Sequence, residues 1–407
     1  MVSRALSVVA AGVVAALTAR QLGPSGRGVY VLLVTVAPFT MIICGLGVNL
    51  AARIHLVAPQ NPMPLGHYFS LSFVLSLAQA AACLLTGLLL LPVTGATLTL
   101  GELAAFVVMG ATLLLRNMWL DALNAYGFTA RAAAQEAAAF VVQVGLVVAL
   151  LATGADEVSP FIWAFTASSV VQIVLTTATL SRLAPLRPRW RRESAARLIR
   201  TGVPSIPSGL SQVLTFRVDR LIVGVIMGPA AVGIYSVAAT VSELLRVLPM
   251  ALSQSVFYQV ASGKSGPGDF RRARTLCLLA GAVLGLAGFV AAPVAVRAVF
   301  GTEFEAAVLP LRVLLLAELA MVYFYVDGAV MGGLGRLGAA AKVAMVGLAL
   351  VAVADVVLIP PFGLAGAAWA SVMAYGAMGA LMHRMLRKHR SLAPAAGPTG
   401  ADAGGVA

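Results

Sequence analysis

The sequence predicts an all-α polytopic membrane protein with about twelve transmembrane helices. They form two six-helix lobes related by a pseudo-two-fold axis along the membrane normal. Three observations carry this. First, 60% of the 407 residues are hydrophobic and only 11% are charged, against about 25% charged in soluble chains. Second, the apolar residues fall in continuous runs, and a bilayer core takes about 20 such residues as helix. Third, the pattern Gly-Pro-x-x-x-Gly-x-Tyr occurs twice, as GPSGRGVY from Gly23 and GPAAVGIY from Gly228, an interval of 205 residues (228 minus 23).

The first six expected spans are 3–20, 29–52, 68–92, 102–124, 132–153 and 160–181. The second six are 202–226, 231–258, 274–298, 306–332, 337–358 and 363–386. These runs are too long and too uniform for barrel strands. Residues 1–182 form the N-terminal lobe, 183–200 a basic linker, 201–390 the C-terminal lobe, and 391–407 a tail with no periodicity, expected to be disordered.

Each copy of the repeated pattern falls between the first and second spans of its half. There Pro and Gly punctuate a short turn, and Tyr30 and Tyr235 sit where aromatic belts form. Trp163-Ala164 and Trp369-Ala370 echo the register at an interval of 206 residues (369 minus 163). Six is even, so both halves start on the same side and the repeat is parallel rather than inverted. The offset places the start of span 1 before Met1, so the first span reads as short. Arg4 ahead of an apolar run also fits a signal peptide, but cleavage would leave the first half one helix short.

Net charge is +13, from 28 basic and 15 acidic residues. The basic residues cluster in the linker (Arg187 to Arg200), between spans 8 and 9 (Lys264, Arg271, Arg272, Arg274), and after span 12 (Arg384, Arg387, Lys388, Arg390). Arg4, Arg53, Arg131, Arg336 and Lys342 fall on the same side. The opposite side holds only Arg20, Arg27 and Arg297, accompanied by acids. Basic residues stay cytoplasmic, which puts both termini inside. The excess charge is therefore topological, not the footprint of nucleic-acid binding. Cys44, Cys83 and Cys277 lie in apolar runs without metal spacing, the four histidines form no cluster, and no nucleotide, hydrolase or metalloprotease motif is present. The chain does not read as an enzyme, and no cofactor is expected.

The informative residues are ionisable groups inside spans, where an arginine costs about 2.5–3.5 kcal/mol on insertion scales unless paired or in water. Span 7 carries Arg217, Asp219 and Arg220; span 8 carries Glu243 and Arg246 at comparable depth. In one reading these are structural pairs, Glu243 with Arg246 and Asp219 with another arginine. In the other they line a positive cavity that takes phosphate oxygens in bidentate contacts. Three arginines against two acids leave one guanidinium over. Arg20, Arg27 and Arg53 would extend the basic lining. Glu318 and Asp327 in span 10, like Asp355 in span 11, are candidates for H⁺ or Na⁺ coupling or for ion pairing; Arg312 is six residues from Glu318, poorly placed to pair with it.

Several segments, in order, resemble a known family: LGPSGRGVYVLL with Gly45-Leu46-Gly47, VDRLIVG from Val218, GIYSVA from Gly233, Phe300-Gly301, Gly335-Arg336, and IPPFGLAGAAWAS from Ile359. They look like the polysaccharide-type flippases of the multidrug/oligosaccharidyl-lipid/polysaccharide exporter superfamily, with twelve spans rather than the fourteen of lipid II flippases. The resemblance implies a bacterial cytoplasmic-membrane protein that flips a polyprenyl-diphosphate-linked oligosaccharide outward. Glycosyltransferases or a polymerase would be its partners in the bilayer. It maps a cationic central cavity onto Arg217, Arg220 and Arg246. A cation-coupled multidrug antiporter of the same superfamily and a non-transporting scaffold of glycan synthesis are the competing readings.

Overall fold

The computed structural model describes residues 2–58, 62–183, 186–263, 267–336 and 338–392. The tail from residue 393, and Lys264 in the loop between spans 8 and 9, lie outside them. The N-terminal half comprises α1 (Val2–Cys44), α2 (Val48–His55), α3 (Leu65–Leu89), α4 (Leu100–Ala125), α5 (Thr129–Ala152) and α6 (Val158–Leu180). The linker forms α7 (Arg192–Gly202). The C-terminal half comprises α8 (Ile206–Thr215), α9 (Val218–Met227), α10 (Pro229–Ser242), α11 (Val247–Ala261), α12 (Pro267–Val299), α13 (Val308–Gly333) and α14 (Gly338–Leu392).

Among the described residues, nine segments are long and apolar enough to cross a membrane. The expected twelve crossings emerge once the helix breaks are placed. A continuous α14 of 55 residues would be far longer than a bilayer core of about 30 Å at about 1.5 Å per residue. It breaks at Gly363, and α1 breaks at Gly23, so each supplies two crossings. The short α8 and α9 together make the remaining one. The N-terminal lobe is thus α1 (two limbs) and α3 to α6. The C-terminal lobe is α8/α9, α10/α11, α12, α13 and α14 (two limbs). Outward side chains such as Leu77, Val294 and Leu100 are fully apolar and exposed, the surface a lipid solvent requires.

The internal repeat is visible in the backbone. Gly23 (φ 63°, ψ −177°) and Gly228 (φ 85°, ψ 176°) adopt the same conformation, one open essentially only to glycine. The other left-handed glycines pair off turn by turn: Gly47 with Gly263, Gly95 with Gly301, Gly127 with Gly335, Gly154 with Gly363. The second pair of the pattern does more. A Cβ on Gly28 would lie 1.7 Å from the Pro229 carbonyl oxygen, and one on Gly233 would lie 2.0 Å from that of Pro24. The two motifs therefore press against each other reciprocally where α1 crosses α10, as a two-fold axis demands. Leu32, Leu33, Val232 and Val237 pack around this crossing in a core shared by both lobes.

One expectation changes. Tyr30 and Tyr235 are not belt residues: both are buried, at 5% and 0% exposure. Trp163 and Trp369 are the exposed aromatic pair. The basic linker packs against the N-terminal lobe. Its backbone bonds Gly66 through the Arg189 amide (3.2 Å). Ser194 and Thr201 each meet a histidine of the N-terminal lobe, His67 and His55, at 2.9 Å. Ala195 and Leu198 pack into that lobe's core. A Cβ on Gly47 would stand 2.2 Å from the Gly202 carbonyl oxygen. The linker thus belongs to the N-terminal lobe up to Gly202, because half of α7 is apolar and the lobe offers it a surface.

Candidate functional site

The seventh crossing is broken at mid-length. Between α8 and α9, Phe216 and Arg217 leave helical geometry, Arg217 with φ −142° and ψ −7°. The eighth crossing also changes pitch, becoming a 3-10 helix over Glu243–Arg246. Irregular backbone within a membrane is tolerated where it is buried in protein or lines a cavity. Here it coincides with the charged residues.

Arg220 donates from Nη2 to Glu243 Oε1 at 2.7 Å, with only 6% of its side chain exposed. Arg246 reaches α13 and grips Glu318 with two bonds, Nε to Oε2 at 2.9 Å and Nη2 to Oε1. Its guanidinium stacks on the Phe216 ring at 4.6 Å and lies 5.7 Å from the Tyr375 ring. The pairing of Glu243 with Arg246 expected from their spacing is thus replaced. A bidentate carboxylate on a neighbouring helix, backed by two aromatic faces, is the better partner for a planar fork. Among the described residues Asp219 pairs with no arginine side chain: it accepts from the Arg220 amide (2.8 Å) and the Tyr235 hydroxyl (2.9 Å).

The Arg217 side chain makes no hydrogen bond or ion pair with any described residue. It faces a cleft of about 190 Å³ between the lobes, lined also by Arg27, Tyr30, Gln143, Arg220 and Glu243. Arg27 donates to Thr18 Oγ1 at 2.6 Å and lies 5.7 Å from the Tyr30 ring. It is 4% exposed, and its Nε has no partner among the described residues. Three guanidinium groups against one carboxylate leave the cleft with an excess of two positive charges.

The remaining predicted residues lie elsewhere. Arg20 does not extend this lining: it donates to the carbonyls of Ala298 and Val299 (2.8 Å to the latter), closing the C-terminal end of α12. Arg53 pairs with Asp121 beside a second, separate cleft of about 290 Å³ near the linker. Asp327 lies within the C-terminal lobe, held by Arg274 (3.1 Å) and His383 (2.7 Å). Arg312, as its spacing suggested, leaves Glu318 alone and bonds the Phe289 carbonyl.

The most telling group outside the arginine set is Asp355. It is fully buried on α14, and neither carboxylate oxygen has a partner among the described residues. Its electrostatic neighbours include Asp219 and Tyr235, the latter donating its hydroxyl to Asp219. Its signal in the sequence was a carboxylate in a span with no basic residue a turn away, but only the fold brings Asp219 to it. Among the described residues no group of three His, Cys, Asp or Glu side chains could hold a metal ion.

The fold resembles those of several solved transporters at low identity. The lipid II flippase MurJ in an inward closed conformation superimposes with a TM-score of 0.79 at 12% identity, covering 95% of this chain and 87% of that one. An inward-facing multidrug resistance MATE family transporter of the MOP superfamily gives 0.73 at 14% identity, covering 96% and 94%. A superfamily transporter from Pyrococcus furiosus, described as having a binding pocket of reversed polarity, gives 0.58 at 14%, covering 96% of each chain. No curated protein matches. The model of one sequence family, described as polysaccharide biosynthesis protein, matches residues 17–309. The chain is thus a multi-pass membrane protein of the polysaccharide biosynthesis family, built on the two-lobed fold of the multidrug/oligosaccharidyl-lipid/polysaccharide superfamily.

Proposed function

We propose that this protein flips a polyprenyl-diphosphate-linked oligosaccharide across the bacterial cytoplasmic membrane, with both termini on the cytoplasmic side. The observation that carries this is the unpaired Arg217 beside Arg27 and Arg220 in an interlobe cleft. A diphosphate brings negative charge into a low-dielectric region, and an excess of buried guanidinium offsets that cost through charge-assisted bonds. A neighbouring cleft of about 360 Å³ gives the lipid tail a path: it is lined by Gly12, Val13, Leu244, Val299 and other apolar side chains, and it shares Thr240 with the basic cleft. Rocking of the lobes about the Gly28–Pro229 and Gly233–Pro24 contacts would alternate access.

A multidrug antiporter would present acids to its cargo, whereas Glu243, the carboxylate among the described residues lining this cleft, is committed to Arg220. Asp219 and Asp355 serve a different task in this reading. A buried carboxylate without a hydrogen-bond donor is costly as an anion, so binding H⁺ or Na⁺ there would couple an ion gradient to lobe movement. A membrane scaffold for glycosyltransferases or a polymerase would need neither feature.

Direct binding tests the proposal. Purified protein in nanodiscs should bind polyprenyl diphosphate carrying a sugar, and Arg217→Ala should weaken that binding while the fold persists. Binding of a cationic dye in place of the lipid would favour the antiporter. If neither ligand binds, the scaffold reading gains. For coupling, Na⁺ or a fall in pH should raise the melting temperature of the wild type but not of Asp355→Asn.

A further inference from the structure

We propose that the second cleft, near the linker, is the subsite for the sugar attached to the diphosphate, and that Asn49 and Asn117 determine glycan recognition. This rests on the lipid-linked-oligosaccharide reading above and assigns a separate site to the neutral part of the headgroup.

The cleft is walled by both lobes: Asn49, Arg53 and Asn117 come from α2 and α4, Ser205 and Gly209 from the start of the C-terminal lobe. Its charges are already spent. Arg53 is paired with Asp121, whose other oxygen accepts from Asn49 Nδ2 at 3.1 Å. An anion therefore gains little here, in contrast to the basic cleft. What remains is a mixture of donors and acceptors. Asn49 keeps its amide oxygen and a second N–H. Asn117 donates to the Leu113 carbonyl at 2.8 Å and keeps its amide oxygen. Ser205 donates to the Gly202 carbonyl at 2.7 Å and keeps its lone pairs. Met41, Leu114 and Met118 supply apolar walls. Mixed hydrogen bonding on apolar walls suits a pyranose, whose hydroxyls both donate and accept and whose C–H faces are apolar.

The two clefts are also in register. Arg27, Val31 and Val34 line the basic cleft, while Met41 and Gly45 line this one. On the second limb of α1, residues 34 and 41 are seven apart and so share a face, about 10 Å along the axis. A headgroup with its diphosphate against Arg27 and Arg217 would extend its first sugars down that face. Because Ser205, Ile206 and Gly209 at the start of the C-terminal lobe form one wall, movement of the lobes would reshape the sugar subsite.

The test compares two probes in nanodiscs: polyprenyl diphosphate carrying N-acetylglucosamine, and bare polyprenyl diphosphate. Wild type should prefer the glycosylated lipid by about tenfold, the scale of one or two hydrogen bonds. The double variant Asn49→Ala/Asn117→Ala should lose that preference yet bind the bare lipid as the wild type does, which also reports that it is folded. Ser205→Ala should lose part of it. Equal affinity of wild type for both probes, preference retained in the double variant, or equal loss of both probes in it would each overturn the sugar subsite while leaving the flippase reading intact. Wild type that binds neither probe would sink both.

Discussion

The two lobes share a backbone and differ in chemistry. At the offset of 205 residues, Arg217, Asp219, Arg220, Glu243 and Arg246 of the C-terminal lobe correspond to Gly12, Val14, Ala15, Pro38 and Met41 of the N-terminal lobe. Every charged position of the C-terminal set faces an uncharged one in its counterpart. Backbone follows suit: the first limb of α1 runs helical through Gly12, whereas the corresponding crossing breaks at Arg217. The N-terminal lobe contributes Arg27, whose own counterpart is Val232. What the halves retain in common is the glycine at each turn and the reciprocal crossing of the Gly-Pro motifs. The repeat thus accounts for the architecture, and divergence between its copies accounts for the site.

That contrast is open to direct attack. The largest effect should come from Glu318→Ala, which strands Arg246 in a buried position. A loss of about 3–5 kcal/mol, read by denaturation in detergent, is expected. Little change would mean that the aromatic faces alone suffice to hold the guanidinium. Gly28→Ala strikes what the lobes share. The new methyl meets the Pro229 carbonyl, so a cost of about 1–3 kcal/mol or more should appear in thermal unfolding. Arg217→Ala, by contrast, breaks no pair and should leave the melting temperature nearly unchanged while weakening diphosphate-lipid binding by about tenfold, equivalent to one charge-assisted bond. A strongly destabilised Arg217→Ala would mark that arginine as structural. The smallest effect belongs to its N-terminal counterpart: Gly12→Ala has open space for its methyl and should shift stability by no more than about 0.5 kcal/mol.

Hydropathy and the 205-residue interval made the helices, the two lobes and the parallel repeat legible, because span length and periodicity are local properties of the chain. The charged residues of spans 7 and 8 were legible for the same reason: an arginine in hydrocarbon is costly wherever it points. Their partners were not. Arg20 and Arg27 look alike in the sequence, seven residues apart on one stretch, yet one caps α12 and the other is buried against Thr18 and Tyr30. Tyr235 reads as an interfacial aromatic and proves to be the donor to Asp219.

By itself, then, the sequence determined how many times the chain crosses the membrane, that its halves are copies, and that positive charge is buried among those crossings. Tertiary structure alone decided which guanidinium groups are neutralised and which face the cleft. It also decided that Asp355 lies within the electrostatic reach of Asp219 and that the linker helix packs on the first lobe. The physical reason is distance along the chain. Helix formation and bilayer insertion depend on neighbours within a few turns. The pairing of Arg246 with Glu318, or of Gly28 with Pro229, depends on residues 72 to 201 positions apart (318 minus 246, 229 minus 28), which meet only when the lobes have packed.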